Sequence, residues 1–317
     1  MTASVFIDGA AGTTGIEIAE RLGSRSDFAV LTLPDDRRKD DAARAELLNA
    51  ADFAILCLPD EAAVAAVGMI RNNTTRVIDA STAHRVADGW IYGFPELVGE
   101  AAVREARFVS NPGCYPTGFL ALVAPLVRAG LIPADWPYGC HAVSGYSGGG
   151  KALIERYEGN GTDDTRTTAP SFRAYGLAGG HKHLPEMKVH AGLAREPLFS
   201  PAVLPTFRGM VVEVALPASA YIGHDADTLR NALSGFYADS PIVTVRAPDP
   251  AMTELLLPAT MAPWDGIDLY VFGGARGEQA RLVAVLDNLG KGASGAALQN
   301  LNVMAGLPAD TGLRLDR

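Results

Sequence analysis

The chain has 317 residues, of which 48% are hydrophobic and 20% charged, and this excludes an intrinsically disordered protein and fits two domains with cores of their own. A formal net charge of −9 argues against a non-specific grip on nucleic acid or acidic lipid, so neither is expected as a partner. No apolar run approaches the ~18 residues of a membrane span, no basic residues precede the first apolar run as in a secretory signal, and three cysteines without CxxC spacing fit a reduced, cytoplasmic compartment.

Ser4–Ile7 reads as a strand that ends in a glycine loop, and Gly15–Leu22 as the helix after it. Phe28–Leu33 is the next strand, Ala42–Asn49 a helix, Phe53–Leu58 a buried strand stopped by Pro59, and Asp60 opens a helix running to about Ile70. Val77–Ala80 and Arg107–Ser110 read as further strands. This β–α–β–α order implies a doubly wound parallel sheet of the Rossmann type. Beyond about Asn111 the pattern changes: Gly139–Ser144, Met210–Leu216, Ile242–Arg246 and Leu269–Gly273 read as strands of an α+β domain with a mostly antiparallel sheet, and the run Leu282–Leu289 leads on from them. A glycine loop, Gly290–Gly295, leads into a last helix over Ala296–Met304. The expected division is a dinucleotide-binding domain over 1–112, completed by about 288–317, and a catalytic and oligomerisation domain over 113–287.

Gly9, Gly12, Thr13, Thr14 and Gly15 join the first strand to the first helix. Glycines there let the backbone approach a pyrophosphate, which then faces the positive end of the helix. The spacing is GxxGxxG rather than GxGxxG, so position between strand and helix carries the reading, against that of a plain turn. At the end of the second strand Asp35 suits a ribose diol, whereas Arg37, Arg38 and Lys39 suit a 2′-phosphate. The residues alone leave NAD and NADP both open, beside a solvated charged loop.

Cys57 lies in an apolar strand and reads as a small core residue. Cys140 and His141 point to opposite faces of a strand and make no dyad by adjacency. Cys114 lies in Ser110-Asn111-Pro112-Gly113-Cys114-Tyr115-Pro116, with Phe119, Leu122, Val123 and Leu126 following at helical spacing. It therefore stands at a helix N-terminus, where the dipole favours a thiolate, the nucleophilic form. Pro125 counts against one straight helix.

His181-Lys182-His183-Leu184-Pro185-Glu186 is the densest polar cluster. In extended geometry the two histidines share a side. They suit an acid/base for Cys114 oriented by Glu186, a metal site, or an exposed loop. Ser144, Gly145 and Lys151 lie in a loop able to hold an anion through its amides. Arg85 follows a strand end and is a candidate for a substrate phosphate or carboxylate, and Asn288, Gly290 and Lys291 could close over the cofactor. His84, His190 and His224 have no constellation around them.

Asp8–Gly15, SNPGCYPTG (110–118), SGYSGGGK (144–151), HKHLPE (181–186) and DNLGKGASGAALQNLN (287–302) together resemble the N-acetyl-γ-glutamyl-phosphate reductase family, in its shorter subfamily, with aspartate-semialdehyde dehydrogenase a wider relative. The resemblance implies a semialdehyde-dehydrogenase-like fold and NADPH, which favours Arg37 and Arg38 as 2′-phosphate ligands. It implies an acyl phosphate, N-acetyl-L-glutamyl 5-phosphate, as substrate, reduced in arginine biosynthesis by a homodimer or homotetramer. Cys114 would form a thioester, and His183, beside Pro185-Glu186, is preferred over His181 as acid/base; Ser144, Gly145, Lys151, Arg85 and Glu186 would meet the substrate, and no metal is implied. The rivals are another semialdehyde dehydrogenase, acting on aspartyl, aminoadipyl or carrier-linked acyl phosphates, a cysteine hydrolase or acyl transferase without nicotinamide, and a non-catalytic redox or metabolite sensor on a Rossmann fold with a metal at His181-Lys182-His183.

Overall fold

The structure is a computed structural model and describes residues 2–34, 36–159, 170–221, 223–274 and 277–316; Asp35 lies outside them. The chain forms two units, Met1–Gly113 with Ala293–Leu313, and Cys114–Gly292 with Arg314–Arg317.

The first unit begins β1 (Ala3–Asp8), α1 (Thr13–Gly23), β2 (Phe28–Leu31), α2 (Asp41–Ala50), β3 (Phe53–Leu56), α3 (Asp60–Met69) and β4 (Arg76–Asp79). It continues with β5 (Ile91–Tyr92), α4 (Pro95–Val98), α5 (Glu100–Glu105) and β6 (Phe108–Ser110). Every pairing is parallel, in the order β2-β1-β3-β4-β6-β5. All four residues of β3 are buried, as a strand covered on both faces must be. One face packs Phe6, Ala54, Leu56 and Val77 with Leu48, Ala63 and Ala66 of α2 and α3. The strand order reverses between β1 and β3, so a crevice opens at their carboxyl ends.

The second unit contains α6 (Cys114–Arg128), β7 (Gly139–Gly145), α7 (Gly150–Glu158), β8 (Arg173–Ala174), α8 (Leu184–Ala191), β9 (Leu198–Leu204), β10 (Met210–Pro217), α9 (Ala226–Phe236), β11 (Val243–Val245), β12 (Ile267–Gly273) and β13 (Gln279–Leu286). Its seven-stranded sheet runs β11-β12-β13-β10-β7-β9-β8. It is mixed but mostly antiparallel, with parallel pairs at β11–β12 and β7–β9. Helix α6 packs on β10, β12 and β13 and against α8 and α9, and every residue from Tyr115 to Leu126 is buried. Pro125 lies inside this helix, which runs on to Arg128. Proline cannot donate to the carbonyl four residues earlier, but the Tyr237 hydroxyl donates to that Ala121 oxygen at 3.0 Å.

A five-residue π-turn (Gly290–Ser294) follows β13, and α10 (Gly295–Met304) then completes the first unit. Its polar residues are buried and their amides donate: Gln299 to Glu96, Asn300 to the Gly93 carbonyl and to Asn111 Oδ1, and Asn302 to the Ala309 carbonyl, while Asn300 Oδ1 has no partner among the described residues.

Candidate active site

Cys114 is the first residue of α6, which places its Sγ at the positive end of a long, buried helix dipole. The next residue, Tyr115, is buried and donates from its hydroxyl to the Ala202 carbonyl at 3.1 Å. Burial pushes the Tyr115 phenol far above its ordinary range, with the charges of Tyr175 and Cys114 adding to it. The Tyr175 phenol is pushed up to about 12, chiefly by burial, and the charge of Cys114 adds there too. Both phenols therefore lie within electrostatic reach of the thiol. Ser144 is buried at the end of β7, its Oγ donating to the Gly145 carbonyl at 3.0 Å, and it acts on the Tyr115 phenol in the sense opposite to burial. By contrast, burial pushes Cys57 up to about 12, aided by Asp79 and Asp8, and raises Cys140 as well. Such thiols stay protonated and inert.

Tyr115 also joins the thiol segment to the histidines, its ring centroid lying 6.3 Å from that of His181 and 6.0 Å from that of His183. The two imidazoles are 4.7 Å apart. They do not share an extended segment as expected, because the backbone turns here and His183 is the N-cap of α8. The His183 amide donates to His181 Nδ1 at 3.2 Å. That nitrogen is an acceptor, so the proton of neutral His181 is on Nε2. Burial and the Lys182 charge hold His181 below its ordinary value. Glu186 is fully buried in the first turn of α8, with Oε1 4.0 Å from His183 Nε2, a charge–charge rather than a hydrogen-bond distance. A cleft of about 570 Å³ opens beside His181, lined by Tyr175, Phe199, Leu198, Phe172 and His141. Among the described residues no group of three or more His, Cys, Asp and Glu could hold a metal ion.

Ser144 and Gly145 close β7, and a 3-10 turn over Tyr146–Gly149 leads to Lys151, exposed in the first turn of α7. Asn288 is buried within this unit: its Oδ1 accepts from the Gly209 amide at 3.0 Å and its Nδ2 donates to Ser147 Oγ at 2.8 Å. Lys291 is buried in the π-turn. Gly290 and Gly292 are in the same turn, and a Cβ on Gly292 would lie 2.9 Å from Cys114 Cβ.

In the first unit, Gly9 has a φ of +89° and a Cβ there would run into the Cys57 carbonyl. A Cβ on Gly15 would lie 2.5 Å from the Gly9 oxygen, whereas one on Gly12 would meet nothing closer than 3.5 Å. The protein itself requires Gly9 and Gly15, whereas a Cβ on Gly12 would make only ordinary contacts with the Gly9 and Cys57 carbonyls. Thr13 and Thr14 start α1, whose N-cap has no side-chain hydrogen bond and whose first turn has no acid, which leaves its amides to an anion. Arg37 pairs with Asp40 at 3.2 Å, and Arg38 is exposed beside it. Asp40 also caps α2 through the Ala42 and Ala43 amides. Arg85 is buried and donates to the Asn111 and Ala80 carbonyls.

The fold thus gathers Cys114, His181, His183, Glu186 and Ser144 in the second unit; the first unit carries Gly9–Gly15 after β1, and Arg37 and Arg38 after β2. Sequence reasoning passed over Tyr115 and Tyr175, which meet only through tertiary contact. It also left His84 without a role, yet His84 Nδ1 lies 2.5 Å from Asp79 Oδ2 and its ring stacks on Trp90. The SxxH spacing after a strand-end Asp was the available signal.

Residues 4–105 match the family described as semialdehyde dehydrogenase, NAD binding domain, and 114–288 that described as semialdehyde dehydrogenase, dimerisation domain. The chain is 50% identical to the N-acetyl-gamma-glutamyl-phosphate reductase of Chelativorans sp. (strain BNC1), over 96% of this chain and 98% of that protein. It is 47% identical to N-acetyl-gamma-glutamyl-phosphate reductase 2 of Nostoc sp. (strain PCC 7120 / SAG 25.82 / UTEX 2576), over 98% of each. Aspartate semialdehyde dehydrogenase II from Vibrio cholerae superposes with a TM-score of 0.68 at 17% identity, covering 96% of this chain and 99% of that one; this likeness concerns the fold alone.

Proposed function

The chain belongs to the N-acetyl-γ-glutamyl-phosphate reductase family, within the semialdehyde dehydrogenases, and from that premise we propose that it reduces N-acetyl-L-glutamyl 5-phosphate to N-acetyl-L-glutamate 5-semialdehyde and phosphate with NADPH, as a step of arginine biosynthesis. The observation that carries the reading is a thiol at the start of α6 whose neighbour, Tyr115, packs against two imidazoles.

The Cys114 thiolate attacks the γ-carbonyl carbon; the C–O bond to phosphate breaks, and a thioester remains. Bound NADPH supplies the hydride that takes this thioester to a thiohemiacetal. His183 holds the proton that the developing oxygen takes, and collapse returns it, with release of the aldehyde and Cys114. Glu186, 4.0 Å from His183 Nε2, favours the protonated imidazole electrostatically. His181, held neutral, offers Nε2–H as a donor to the substrate. Ser144, Gly145 and Lys151 meet the anionic leaving group. Gly9, Gly12, Thr13, Thr14 and Gly15 cradle the pyrophosphate, and Arg37 and Arg38 face the 2′-phosphate. Arg37 and Arg38 are both exposed after β2, and two guanidinium groups there suit a 2′-phosphate, which supports NADP over NAD. A homodimer or homotetramer in the cytoplasm completes the reading, supported by the dimerisation-domain description of 114–288 and by the reactive thiol's need for a reducing compartment.

The test is NADP⁺ reduction with N-acetylglutamate semialdehyde, with and without phosphate, against NAD⁺ and aspartate semialdehyde. Phosphate-dependent turnover confined to the first pair is expected. Turnover of aspartate semialdehyde instead would assign another acyl phosphate. Cys114→Ser should abolish turnover with NADPH binding intact; activity in that variant would remove Cys114 as nucleophile.

A further inference from the structure

β1 is apolar from Val5 to Ile7 and ends on Asp8, a carboxylate buried at the entrance to the glycine loop. The loop itself and the first turn of α1 carry no acid, as suits an anion site. Asp8 is close to where the loop turns. The Cys57 amide donates to the Asp8 carbonyl at 2.8 Å, and Gly9 packs on the Cys57 carbonyl. The Asp8 charge is felt there, since it adds to burial and Asp79 in raising the Cys57 thiol. Asp79 is bonded to Ser81 and His84, whereas Asp8 is met by Arg44 of α2. Arg44 Nε and Nη2 donate to Asp8 Oδ2 at 3.1 and 3.0 Å, and the two side chains are only 10% and 4% exposed. Among the described residues no other cation pairs with Asp8. Arg44 also pairs with Asp41 at 2.8 Å, but that carboxylate is largely exposed and water screens it. A buried ion pair adds little to stability over an apolar pair of similar size, so the fold alone does not call for this one. Charge does: a pyrophosphate on the glycine loop would face the Asp8 carboxylate, and like charges repel strongly in a protein interior.

We propose that Arg44 opens the glycine loop to an anion by cancelling the charge of Asp8, without itself touching the dinucleotide. It is a positioning residue, acting through Asp8. The proposal rests on the glycine loop being the pyrophosphate site. Helix α2 gives Arg44 its aim: the Arg44 amide donates to the Asp40 carbonyl at 3.0 Å, and the Asp40 side chain caps the same turn. Pyrophosphate is common to NADPH and NADH, so the effect of Arg44 is the same on both, and any difference between them is left to Arg37 and Arg38.

Arg44→Met and Asp8→Asn break the same ion pair but leave opposite charges beside the loop, which separates a charge role from a structural one. The readouts, in the full-length protein, are NADPH and NADH dissociation constants by fluorescence titration and the urea midpoint. Both single variants should lower the urea midpoint. Arg44→Met should weaken NADPH and NADH alike, by about tenfold or more, whereas Asp8→Asn should bind both at least as tightly as wild type. The double variant leaves neither charge and should bind within about threefold of wild type. Weakening in Asp8→Asn as large as in Arg44→Met overturns the proposal, because the pair is then only structural. A loss confined to NADPH in Arg44→Met also overturns it and assigns Arg44 to the 2′-phosphate. Should Arg44→Met fail to fold, Asp8→Asn and the double variant decide: binding at wild-type strength supports the proposal and weaker binding overturns it. A wild-type protein that binds neither dinucleotide removes the glycine loop as a cofactor site, and the proposal with it; wild-type binding with equal losses in both single variants overturns the proposal alone.

Discussion

His181 lies two residues before His183, half-buried beside the Lys182 charge. His181 is lowered by burial first and by Lys182 second. As pH falls, the unfolded chain takes up this proton before the folded chain does, so acidification favours unfolding. The cost begins near the ordinary histidine value of 6.5 and grows towards the lower folded value. His181→Gln should therefore flatten the dependence of urea midpoint on pH between about 7 and 5; a slope equal to wild type would refute the depressed value. A contrast separates the glycines of the first loop. Gly9→Ala combines a φ of +89° with a clash against the Cys57 carbonyl and should yield little folded protein. Gly12→Ala has nothing closer than 3.5 Å, so it should fold and melt normally while binding NADPH at least about tenfold more weakly, the added methyl being where the backbone must approach a pyrophosphate. Equal NADPH affinity in Gly12→Ala, by titration, would remove this loop from the cofactor site.

At the scale of elements, α6 shows how a local rule is overridden. Pro125 leaves the Ala121 carbonyl without its helical donor, and the Tyr237 hydroxyl from beyond the end of α9 supplies one. Tyr237→Phe removes only that oxygen, in a buried place. It should cost about 1–3 kcal/mol, the usual penalty of an orphaned buried acceptor; urea denaturation within 0.5 kcal/mol of wild type, roughly the noise between surface variants, would show that the carbonyl finds another donor. The elements plain in the sequence are β1, β3 and β4, short apolar runs buried along most of their length, β10, whose burial alternates, and the helices after β1, β2 and β3. Others were hidden by chemistry that local pattern does not carry. Helix α8 buries Glu186 beside Leu184 and Met187, so no clean apolar stripe marks it. Strand β9 contains Pro201, which argues against an interior strand, yet it pairs with both β7 and β8. In the site, Cys114 was legible because a proline and an apolar helical pattern follow it. Tyr115 and Tyr175 were not, since 60 residues and a tertiary contact separate them.

The whole molecule is organised by one departure from linear order, in that the first unit takes its last helix from residues 293–313. On α10, Leu298, Leu301, Val303 and Met304 are all buried, and at about 1.5–3 kcal/mol for each such side chain they supply roughly 6–12 kcal/mol. That is as large as the entire stability of an ordinary domain, about 5–15 kcal/mol. The polar contacts point the same way. Without α10, Asn111 Oδ1 and the Gly93 carbonyl lose the Asn300 amide, the Ala293 carbonyl no longer takes Asn111 Nδ2, and Arg25 loses Asn302 Oδ1. A fragment of residues 1–113 is therefore expected to lack a cooperative urea transition by far-UV circular dichroism, although it contains every strand of the parallel sheet. The same fragment with residues 293–313 joined to it by a flexible linker should regain one, and with it NADPH binding. A cooperative transition in the 1–113 fragment alone would mean that the six strands and five helices before Cys114 are sufficient, and that α10 only covers a unit already folded.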